Sequence, residues 1–434
     1  MNVYIETYGC QMNEYDSELM IAILESHGYV TVPEPEHADI VLLNTCSVRE
    51  SAARRIYARV HDIRRQVDHP LQVGVVGCMA TDYKERLIAE KKLPVDFIAG
   101  PDSYRRLPEL IRKHAQTGER QMDVTLSRQE NYDGVLPVRS SGVNAWIAVM
   151  RGCNNFCSFC VVPYTRGRER SRPVDSVLAE VRQLVQDGFK QVTLLGQNVN
   201  SYQYDDHSFA DLLNAVSEVD GIERIRFTSP HPKDFPADLI RTVADNPAVC
   251  KHIHLPLQAG NSRVLDLMRR TYTKESYLQL AADIKRHIPD IALTTRYHCR
   301  IPTETDAEFK DTVDVMRQVQ FDSAFIFKYS ERQGTLAQKH YEDDVPEEVK
   351  TERIVYLNEL QKETSLSKNQ AHIGQTLNVL LEQDSTKKSN EHMQGRSDGN
   401  KLVILKKGDY RVGDSVRVHI DDAGPHVLRG HVID

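Results

Sequence analysis

The first 115 residues alternate between short apolar runs and amphipathic segments. Strands are predicted where apolar residues run together, at 3–8, 39–44, 73–76 and 95–99. Helices are predicted where apolar positions recur every three or four residues, at 13–27, 51–67, 83–90 and 104–114. A regular β–α series indicates a parallel sheet with right-handed crossovers. We therefore expect an open parallel α/β sheet domain over residues 1–115.

A second β–α series follows a polar, aperiodic stretch at 116–144, which predicts a linker. Its strands are predicted at 145–150, 191–195, 224–228, 252–256, 291–301 and 323–329, with helices between them. Six β–α units are fewer than the eight of a closed TIM barrel. We expect a six-stranded partial TIM barrel that ends in a long amphipathic helix, over 145–370.

The pattern changes once more near residue 371. Short alternating runs lie at 377–382, 401–405, 415–420 and 428–433, separated by turn sequences such as Asp-Gly-Asn and Gly-Pro. Such a pattern is typical of a small antiparallel β-barrel or sandwich, here over residues 371–434. The whole chain is therefore predicted to be an α/β protein with a small β domain at its end.

Composition excludes several classes of protein. The chain has 434 residues, of which 40% are hydrophobic and 27% charged, which excludes disordered and collagen-like proteins. No apolar run approaches the roughly 18 residues of a membrane helix, and the first residues lack the pattern of a signal peptide. We expect a cytoplasmic monomer without a membrane partner. Because the net charge is −7, nucleic-acid binding would rest on local patches of positive charge.

Three cysteines crowd together just after the first predicted barrel strand. Cys153, Cys157 and Cys160 have the spacing C-x3-C-x2-C, and the next cysteine, Cys250, is 90 residues further on. Three thiolate ligands on a four-iron cluster leave one iron open for a small molecule. The alternatives are a zinc site with a distant fourth ligand, or three buried thiols.

Three further cysteines follow predicted strands of the first domain. Cys10, Cys46 and Cys78 each come directly after an apolar run. The ends of parallel strands share one sheet edge, where ligands of such folds bind, so the three thiols are expected to converge there on a second cluster. The alternative is that small cysteine side chains fill the ends of a core. Cys250 and Cys299 occur singly and are interpreted as core or incidental thiols.

Arginines surround the three-cysteine loop. Arg166, Arg168, Arg170 and Arg172 alternate along the chain, and Glu169 is the acidic residue among them. Guanidinium groups bind phosphate through paired hydrogen bonds, so these four are candidate RNA contacts. The alternative is a solvated, charged surface.

Together these features resemble the methylthiotransferases of the radical S-adenosylmethionine (SAM) superfamily, over essentially the whole chain. The parts that match are an N-terminal methylthiotransferase domain, a radical SAM barrel and a C-terminal TRAM module. The runs Val-Val-Pro-Tyr-Thr-Arg-Gly at 161–167 and Gly-Gln-Asn-Val-Asn at 196–200 are similar to the tRNA-modifying MiaB type. The type that acts on ribosomal protein S12 usually carries Pro-Ser-x-Arg-Gly in place of the first of these two runs.

The resemblance implies two 4Fe-4S clusters. Cys153, Cys157 and Cys160 would hold the cluster that binds SAM, and Cys10, Cys46 and Cys78 an auxiliary cluster where sulfur is staged. Gly196, Gln197 and Arg300 would contact SAM. The TRAM module would bind RNA.

The implied reaction consumes two SAM molecules and replaces the C2 hydrogen of N6-(dimethylallyl)adenosine at position 37 of tRNA by a methylthio group. This hydrogen is not acidic, so side-chain acids and bases could not activate it and cofactors must carry the chemistry. The implied partners are the anticodon stem-loop of tRNA, a reductant such as flavodoxin or ferredoxin, and a sulfur source for the auxiliary cluster.

One segment departs from the family pattern. Members carry a sequence such as Thr-Asp-Ile-Ile-Val-Gly-Phe-Pro on the fifth barrel strand, where this chain has Arg296, His298 and Arg300 in a run that ends at Pro302. That strand lies against the SAM adenine in radical SAM barrels, so weaker SAM binding is expected. Three alternative functions stay open: modification of threonylcarbamoyladenosine in tRNA, modification of ribosomal protein S12, and RNA binding by an iron–sulfur protein without catalysis.

Overall fold

In a computed structural model, the structure describes residues 1–47, 50–89, 93–139, 142–299, 302–387 and 389–433. For residues 50–54, 298 and 299 it describes the backbone alone. Among the residues in these ranges, no helix is both long and apolar enough to cross a membrane.

The N-terminal region forms a six-stranded sheet in which all neighbouring strands are parallel, in the order β2-β1-β3-β4-β5-β6. Its strands are β1 (Asn2–Thr7), β2 (Val30–Thr31), β3 (Ile40–Thr45), β4 (Gln72–Gly77), β5 (Phe97–Ala99) and β6 (Gln121–Asp123). Its helices are α1 (Gln11–Glu25), α2 (Glu50–Gln66), α3 (Cys78–Asp82), α4 (Lys84–Ala89) and α5 (Leu107–Thr117). Leu42 packs on one side of the sheet and Leu43 on the other. Burial on both faces explains why the central strands are continuous apolar runs.

The middle region contains six parallel strands in chain order, β7, β10, β13, β14, β15 and β16, in two sets of three. The backbone of Ile225 joins the sets by hydrogen bonds to Ala248 and Cys250. The strands are β7 (Asn144–Ala148), β8 (Met150–Arg151), β9 (Arg170–Ser171), β10 (Gln191–Leu195), β11 (Gln203–Tyr204), β12 (His207–Ser208), β13 (Arg224–Phe227), β14 (His252–His254), β15 (Ala292–Cys299) and β16 (Ser323–Lys328). The short pairs β8–β9 and β11–β12 are antiparallel.

Helices cover the outside of this partial barrel, as the β–α pattern predicts. They are α7 (Val174–Gln186), α8 (Phe209–Ser217), α9 (Ala237–Asp245), α11 (Lys274–His287), α12 (Asp306–Val319) and α14 (Glu347–Gln370). Three short helices, α6 (Val162–Thr165), α10 (Ser262–Leu267) and α13 (Leu336–His340), lie apart from them. One large apolar core joins the strands to the covering helices, and Val192, Ile225 and Leu293 are fully buried in it.

The C-terminal region is a closed five-stranded barrel in the order β17-β18-β19-β21-β20. Its strands are β17 (Thr376–Gln383), β18 (His392–Ser397), β19 (Leu402–Lys406), β20 (Ser415–Ala423) and β21 (Leu428–Val432). The β19–β21 pair is parallel and the other pairs are antiparallel, so the prediction of an antiparallel barrel needs this one correction.

Buried charges fasten this small barrel to the larger one. Arg224 and Arg226 on β13 donate hydrogen bonds to backbone carbonyls of the C-terminal barrel, among them that of Ser397 at 2.7 Å. Asp322 accepts from Lys368 and Lys401, each at 2.7 Å. The C-terminal barrel is therefore docked on the amino-terminal end of the strands, away from their carboxyl ends.

The predicted fold class is confirmed in all three parts. The segment 116–144, expected to be a linker, contributes β6 to the first sheet and buries Tyr132, which is 1% exposed. The strand β18 was absent from the sequence prediction. Both differences concern polar sequences that become strands through their neighbours.

Candidate active site

The structure brings the three N-terminal cysteines to one sheet edge. Cys10 precedes α1, Cys46 follows β3 and Cys78 begins α3, and the strands before them, β1, β3 and β4, are neighbours. A Cβ atom on Gly9 would lie 2.7 Å from the Cβ atom of Cys46, which shows how closely the first two loops approach. The three strand ends therefore share one edge, as the strand order predicts, and a cluster held by all three thiols stays a prediction.

Two of these thiols differ in their acidity. A hydrogen bond from Cys46 and the nearby charge of Arg166 lower the pKa of Cys10 to about 6, against the effect of burial. Burial raises the pKa of Cys78, although Arg166 opposes the shift. Because the thiolate is the form that binds metal, Cys10 is prepared to act as a ligand at neutral pH.

The second triad lies on a loop between β8 and α6 that the fold holds tightly. The loop enters through Gly152, whose φ is +81°; a Cβ atom there would lie 1.9 Å from the carbonyl oxygen of Arg168. The amide of Cys153 donates to Gly167, and the amide of Ser158 to Met268. A side chain at position 152 would therefore displace the segment that carries the first cysteine.

The chemistry of these thiols fits a multi-iron cluster. Burial and the neighbouring thiols raise the pKa of Cys153 to about 12 and that of Cys160 to about 11. Three adjacent thiolates need a cationic group to neutralise them. Within the described ranges, no three His, Cys, Asp or Glu side chains are placed to hold one metal ion. Thiolates bind both zinc and iron–sulfur clusters, so these pKa values favour a metal centre without selecting the metal.

The two triads meet through a contact between the first two domains. Helix α6, which follows Cys160, packs against α3, which begins with Cys78. Arg166, at the end of α6, donates from Nε to Sγ of Cys78 at 3.1 Å. The structure thus places both cysteine triads on opposite sides of one interface.

The four arginines predicted to contact RNA lie in two different environments. Arg166, Arg170 and Arg172 are 3%, 7% and 2% exposed. Their carboxylate partners are Asp16, Asp102 and Glu180. Burial removes these three from the surface that phosphate reaches, which corrects the RNA-contact prediction at their positions. Arg168 is exposed, with its guanidinium 4.2 Å from the ring centre of Phe156, and stays a candidate.

The three residues predicted to contact SAM differ in what the structure shows of them. Gln197 accepts a hydrogen bond from the amide of Gly152 at 2.6 Å, so it shapes the cysteine loop. A Cβ atom on Gly196 would lie 2.8 Å from the side chain of Met150, so the glycine permits close packing. Arg300 lies outside the described residues.

Arg296, from the unusual fifth-strand segment, is exposed on β15 and lies over Phe327, 5.2 Å from the ring centre. Strand β15 keeps regular parallel pairing with β16 from Thr294 to Cys299. The arginine is therefore accommodated without distortion of the strand.

Several buried polar atoms without a hydrogen-bond partner among the described residues lie at the carboxyl ends of the barrel strands. They are Ser158 Oγ, Asn198 Oδ1, His231 Nε2 and Gln258 Oε1. Burial, with Arg270, lowers the pKa of His231 to about 2, and its Nδ1 accepts from Lys233, so Nε2 carries the proton. Unsatisfied donors and acceptors next to the cysteine loop fit a polar ligand such as SAM.

Sequence reasoning missed two charged residues of the site. Asp16 is fully buried on α1 and binds both Arg151 and Arg166. Arg270 is 5% exposed and donates from Nη1 to Sγ of Cys157 at 3.4 Å. The sequence does not indicate that Arg270 is buried, because two adjacent arginines, as at 269–270, are common on protein surfaces.

Comparison with known proteins agrees with this architecture. Residues 2–100 match the uncharacterized protein family UPF0004, residues 147–316 the radical SAM superfamily, and residues 370–433 the TRAM domain. A radical S-adenosylmethionine methyltransferase, TsrM from Kitasatospora setae, has a similar fold, with a TM-score of 0.58 and 15% identity over 78% of this chain and 74% of that chain.

Two relatives are similar over their whole length. The tRNA-2-methylthio-N(6)-dimethylallyladenosine synthase of Porphyromonas gingivalis is 47% identical, covering 100% of this chain and 95% of the relative. That of Chloroherpeton thalassium is 45% identical, covering 99% of this chain and 96% of the relative. The chain therefore belongs to the radical SAM methylthiotransferases, in the family of the tRNA-2-methylthio-N(6)-dimethylallyladenosine synthases.

Proposed function

We propose that this enzyme replaces the C2 hydrogen of N6-(dimethylallyl)adenosine at position 37 of tRNA by a methylthio group. The observation that carries the proposal is the meeting of two cysteine triads at one interface, with α6 packed on α3. One triad alone would suit many radical SAM reactions. Two adjacent triads suit a reaction that generates a radical at one and delivers sulfur from the other.

The six cysteines of the two triads, at positions 10, 46, 78, 153, 157 and 160, would hold two 4Fe-4S clusters. When bound, these clusters and SAM supply the radical and the methylthio group. The barrel residues orient and enclose the reactants: the donor His231 Nε2 and the acceptor Gln258 Oε1, which have no partner among the described residues, are placed to bind a polar ligand. Exclusion of water follows from the burial of Cys153 and Cys157, each 8% exposed.

Features of the surface support a tRNA substrate. Tyr164 is 42% exposed on α6 and packs edge-to-face against Phe156, and the guanidinium of Arg168 lies over the ring of Phe156. Exposed aromatic rings stack on unpaired bases, and arginine binds the adjacent phosphate. The C-terminal barrel matches the TRAM domain and offers a second RNA surface.

The proposed reaction also needs partners. A one-electron reductant such as flavodoxin or ferredoxin would reduce the SAM-binding cluster, and a sulfur source would replenish the auxiliary cluster. We place the reaction in the cytoplasm, where tRNA is modified, and propose that one chain suffices, because both triads belong to the same chain.

Complementation tests the proposed substrate. A bacterial strain that makes N6-(dimethylallyl)adenosine but lacks its methylthiotransferase would express this chain, and the nucleosides of its pooled tRNA would be measured by mass spectrometry. We expect the 2-methylthio-N6-(dimethylallyl)adenosine peak to return with the parent chain, but not with Cys153→Ala. Methylthiolation of threonylcarbamoyladenosine or of ribosomal protein S12 in place of this peak would overturn the substrate assignment.

A further inference from the structure

Each cysteine triad contains one sulfur that accepts a hydrogen bond from a buried arginine. Arg166 Nε lies 3.1 Å from Sγ of Cys78, and Arg270 Nη1 lies 3.4 Å from Sγ of Cys157. Both arginines come from the radical SAM domain, although Cys78 belongs to the N-terminal domain. Arg166 therefore crosses the interface to reach the auxiliary triad.

The surroundings of the two arginines differ. Arg166 Nη2 pairs with Asp16 at 2.8 Å and also donates to Asn13, while its buried Nη1 has no acceptor among the described residues. The other hydrogen bonds of Arg270 go to neutral groups, the Tyr272 hydroxyl and the Pro256 carbonyl. A carboxylate thus balances the charge of Arg166. The hydrogen bonds of Arg270 to described residues go instead to a cysteine sulfur and two uncharged oxygens.

The reach of Arg166 follows from its position in the chain. It lies six residues after Cys160, at the end of α6, so the segment that follows the SAM-cluster loop also carries the donor to the other triad. Arg151, next to the same loop, binds the other oxygen of Asp16 at 2.6 Å. Asp16, itself fixed by Arg151, therefore holds the guanidinium of Arg166 in place against Cys78.

Hydrogen bonds to cluster sulfurs and nearby positive charge favour the reduced, more negative state of an iron–sulfur cluster and raise its reduction potential. We propose that Arg166 is a positioning residue that raises the reduction potential of the auxiliary cluster through Cys78, and that Arg270 does the same, separately, for the SAM-binding cluster through Cys157. This inference rests on the proposed function only in that both clusters are present.

Redox titration of the full-length protein tests the inference. Anaerobically reconstituted protein would be titrated with dithionite while electron paramagnetic resonance follows each reduced cluster. Full-length chains that lack one triad, Cys153→Ala/Cys157→Ala/Cys160→Ala or Cys10→Ala/Cys46→Ala/Cys78→Ala, identify the two signals. Arg166→Met and Arg270→Met serve as matched variants of each other, since each removes one guanidinium beside one triad.

We expect Arg166→Met to make reduction of the auxiliary cluster about tenfold less favourable, a midpoint lower by about 59 mV, and to leave the SAM-binding cluster unchanged. Arg270→Met should lower the midpoint of the SAM-binding cluster and leave that of the auxiliary cluster unchanged. If Arg166 only fastens the domains together, its variant will unfold more easily while the midpoint of the iron that stays bound equals that of the parent, which would overturn the inference.

A second variant covers the case in which Arg166→Met binds no iron at the N-terminal site. Arg166→Lys keeps the charge opposite Asp16, but one ammonium group does not reproduce the fork that reaches both Asp16 and Cys78. A midpoint below that of the parent supports the inference, and an equal midpoint contradicts it. Absence of iron from the parent itself would instead contradict the proposed function.

Discussion

Arg151 and Asp16 form an ion pair across the interface of the first two domains, with Nη2 of the arginine 2.6 Å from Oδ1 of the carboxylate. Their side chains are 2% and 0% exposed. The second oxygen of Asp16 binds Arg166 at 2.8 Å. One carboxylate thus compensates two buried guanidinium groups, and the pKa of Asp16 is lowered because both arginines outweigh the effect of burial.

Removal of this carboxylate charge should therefore weaken the fold strongly. We expect Asp16→Asn to lower the free energy of unfolding by about 3–5 kcal/mol, because it leaves two buried charges without a partner. Asp62→Asn is the matched control: Asp62 faces Arg65 at 3.8 Å and is 52% exposed, so its loss should cost about 0–1 kcal/mol. Anaerobic urea titration of the first unfolding transition measures both, and equal midpoints would contradict the interpretation.

Iron content tests the assignment of the two triads. Each site needs its own thiolates, so replacement of Cys153, Cys157 and Cys160 by alanine should leave about half the iron and sulfide of the parent. The triple variant at Cys10, Cys46 and Cys78 should leave the other half. Cys250→Ala removes a buried thiol outside both triads and should retain all the iron. A triple variant that loses all its iron, or none, refutes two independent sites.

Gly152 allows a steric test of the cysteine loop. Alanine at 152 would place its Cβ atom 1.9 Å from the Arg168 carbonyl oxygen, so the loop must move and the SAM-binding cluster should be lost. Gly188→Ala is the matched control, because Gly188 also has a positive φ, +88°, but has no atom within 4 Å of the added Cβ. It should cost only backbone strain of about 1–2 kcal/mol. Iron counts of both variants decide, and a full count for Gly152→Ala contradicts the expectation.

The fifth-strand segment gives a prediction about SAM affinity. Arg296 is exposed on β15 with its positive charge on the same strand surface as Thr294, and SAM itself carries a positive sulfonium. A variant with Asp at 296 and Gly at 300 should bind SAM roughly five- to a hundredfold more tightly, since one well-placed contact contributes about 1–3 kcal/mol.

Equilibrium dialysis of SAM against reconstituted protein measures this change in affinity. Arg286→Asp, which makes the same arginine-to-aspartate change on the exposed side of α11, should leave the dissociation constant as in the parent. Equal constants for the parent and the doubly substituted chain would show that the arginines have no consequence for SAM binding.

Much of this architecture could be predicted because local pattern and long-range structure agree. The strands β3 and β4 are apolar along their whole length, and Cys46 and Cys78 come directly after them, so strand order alone places the thiols together. The strand β18 was missed because its sequence, HMQGRS, is polar; Gly395 allows close approach, with a Cβ atom there 2.3 Å from the Leu380 carbonyl oxygen.

The buried arginines could not be predicted in the same way. Arg170 and Arg172 look like surface charges along the chain, yet Asp102 lies 68 residues from Arg170 in the sequence. No pattern of neighbouring residues predicts an ion pair between side chains so far apart in the sequence. Contacts between the first two domains, such as those from Arg170 to Asp102 and from Arg172 to Tyr15, bury both arginines and make these candidate RNA ligands interface residues.

A partly buried histidine in the barrel predicts how stability depends on pH. His254 lies on β14, and its Nδ1 is 3.0 Å from the Thr294 hydroxyl. Burial, together with Arg296, lowers its pKa to about 3. In the unfolded chain this histidine is protonated near pH 6.5, whereas in the folded protein it stays neutral down to about pH 3. The free energy of unfolding therefore decreases as the pH falls from about 6.5 toward 3.

The contribution of His254 is measured by comparison of the parent with His254→Gln at pH 7.5 and pH 5.5. Acidification should cost the parent about 1 kcal/mol more than the variant, because glutamine does not titrate. His69 provides a control of opposite sign: it is exposed, and the carbonyls of Pro70 and Glu36 raise its pKa, so protonation stabilises the fold and His69→Gln should lose slightly more stability on acidification. Urea midpoints of the three proteins at both pH values decide, and parallel pH dependence of the parent and His254→Gln would show that His254 is protonated as readily in the folded chain as in the unfolded one.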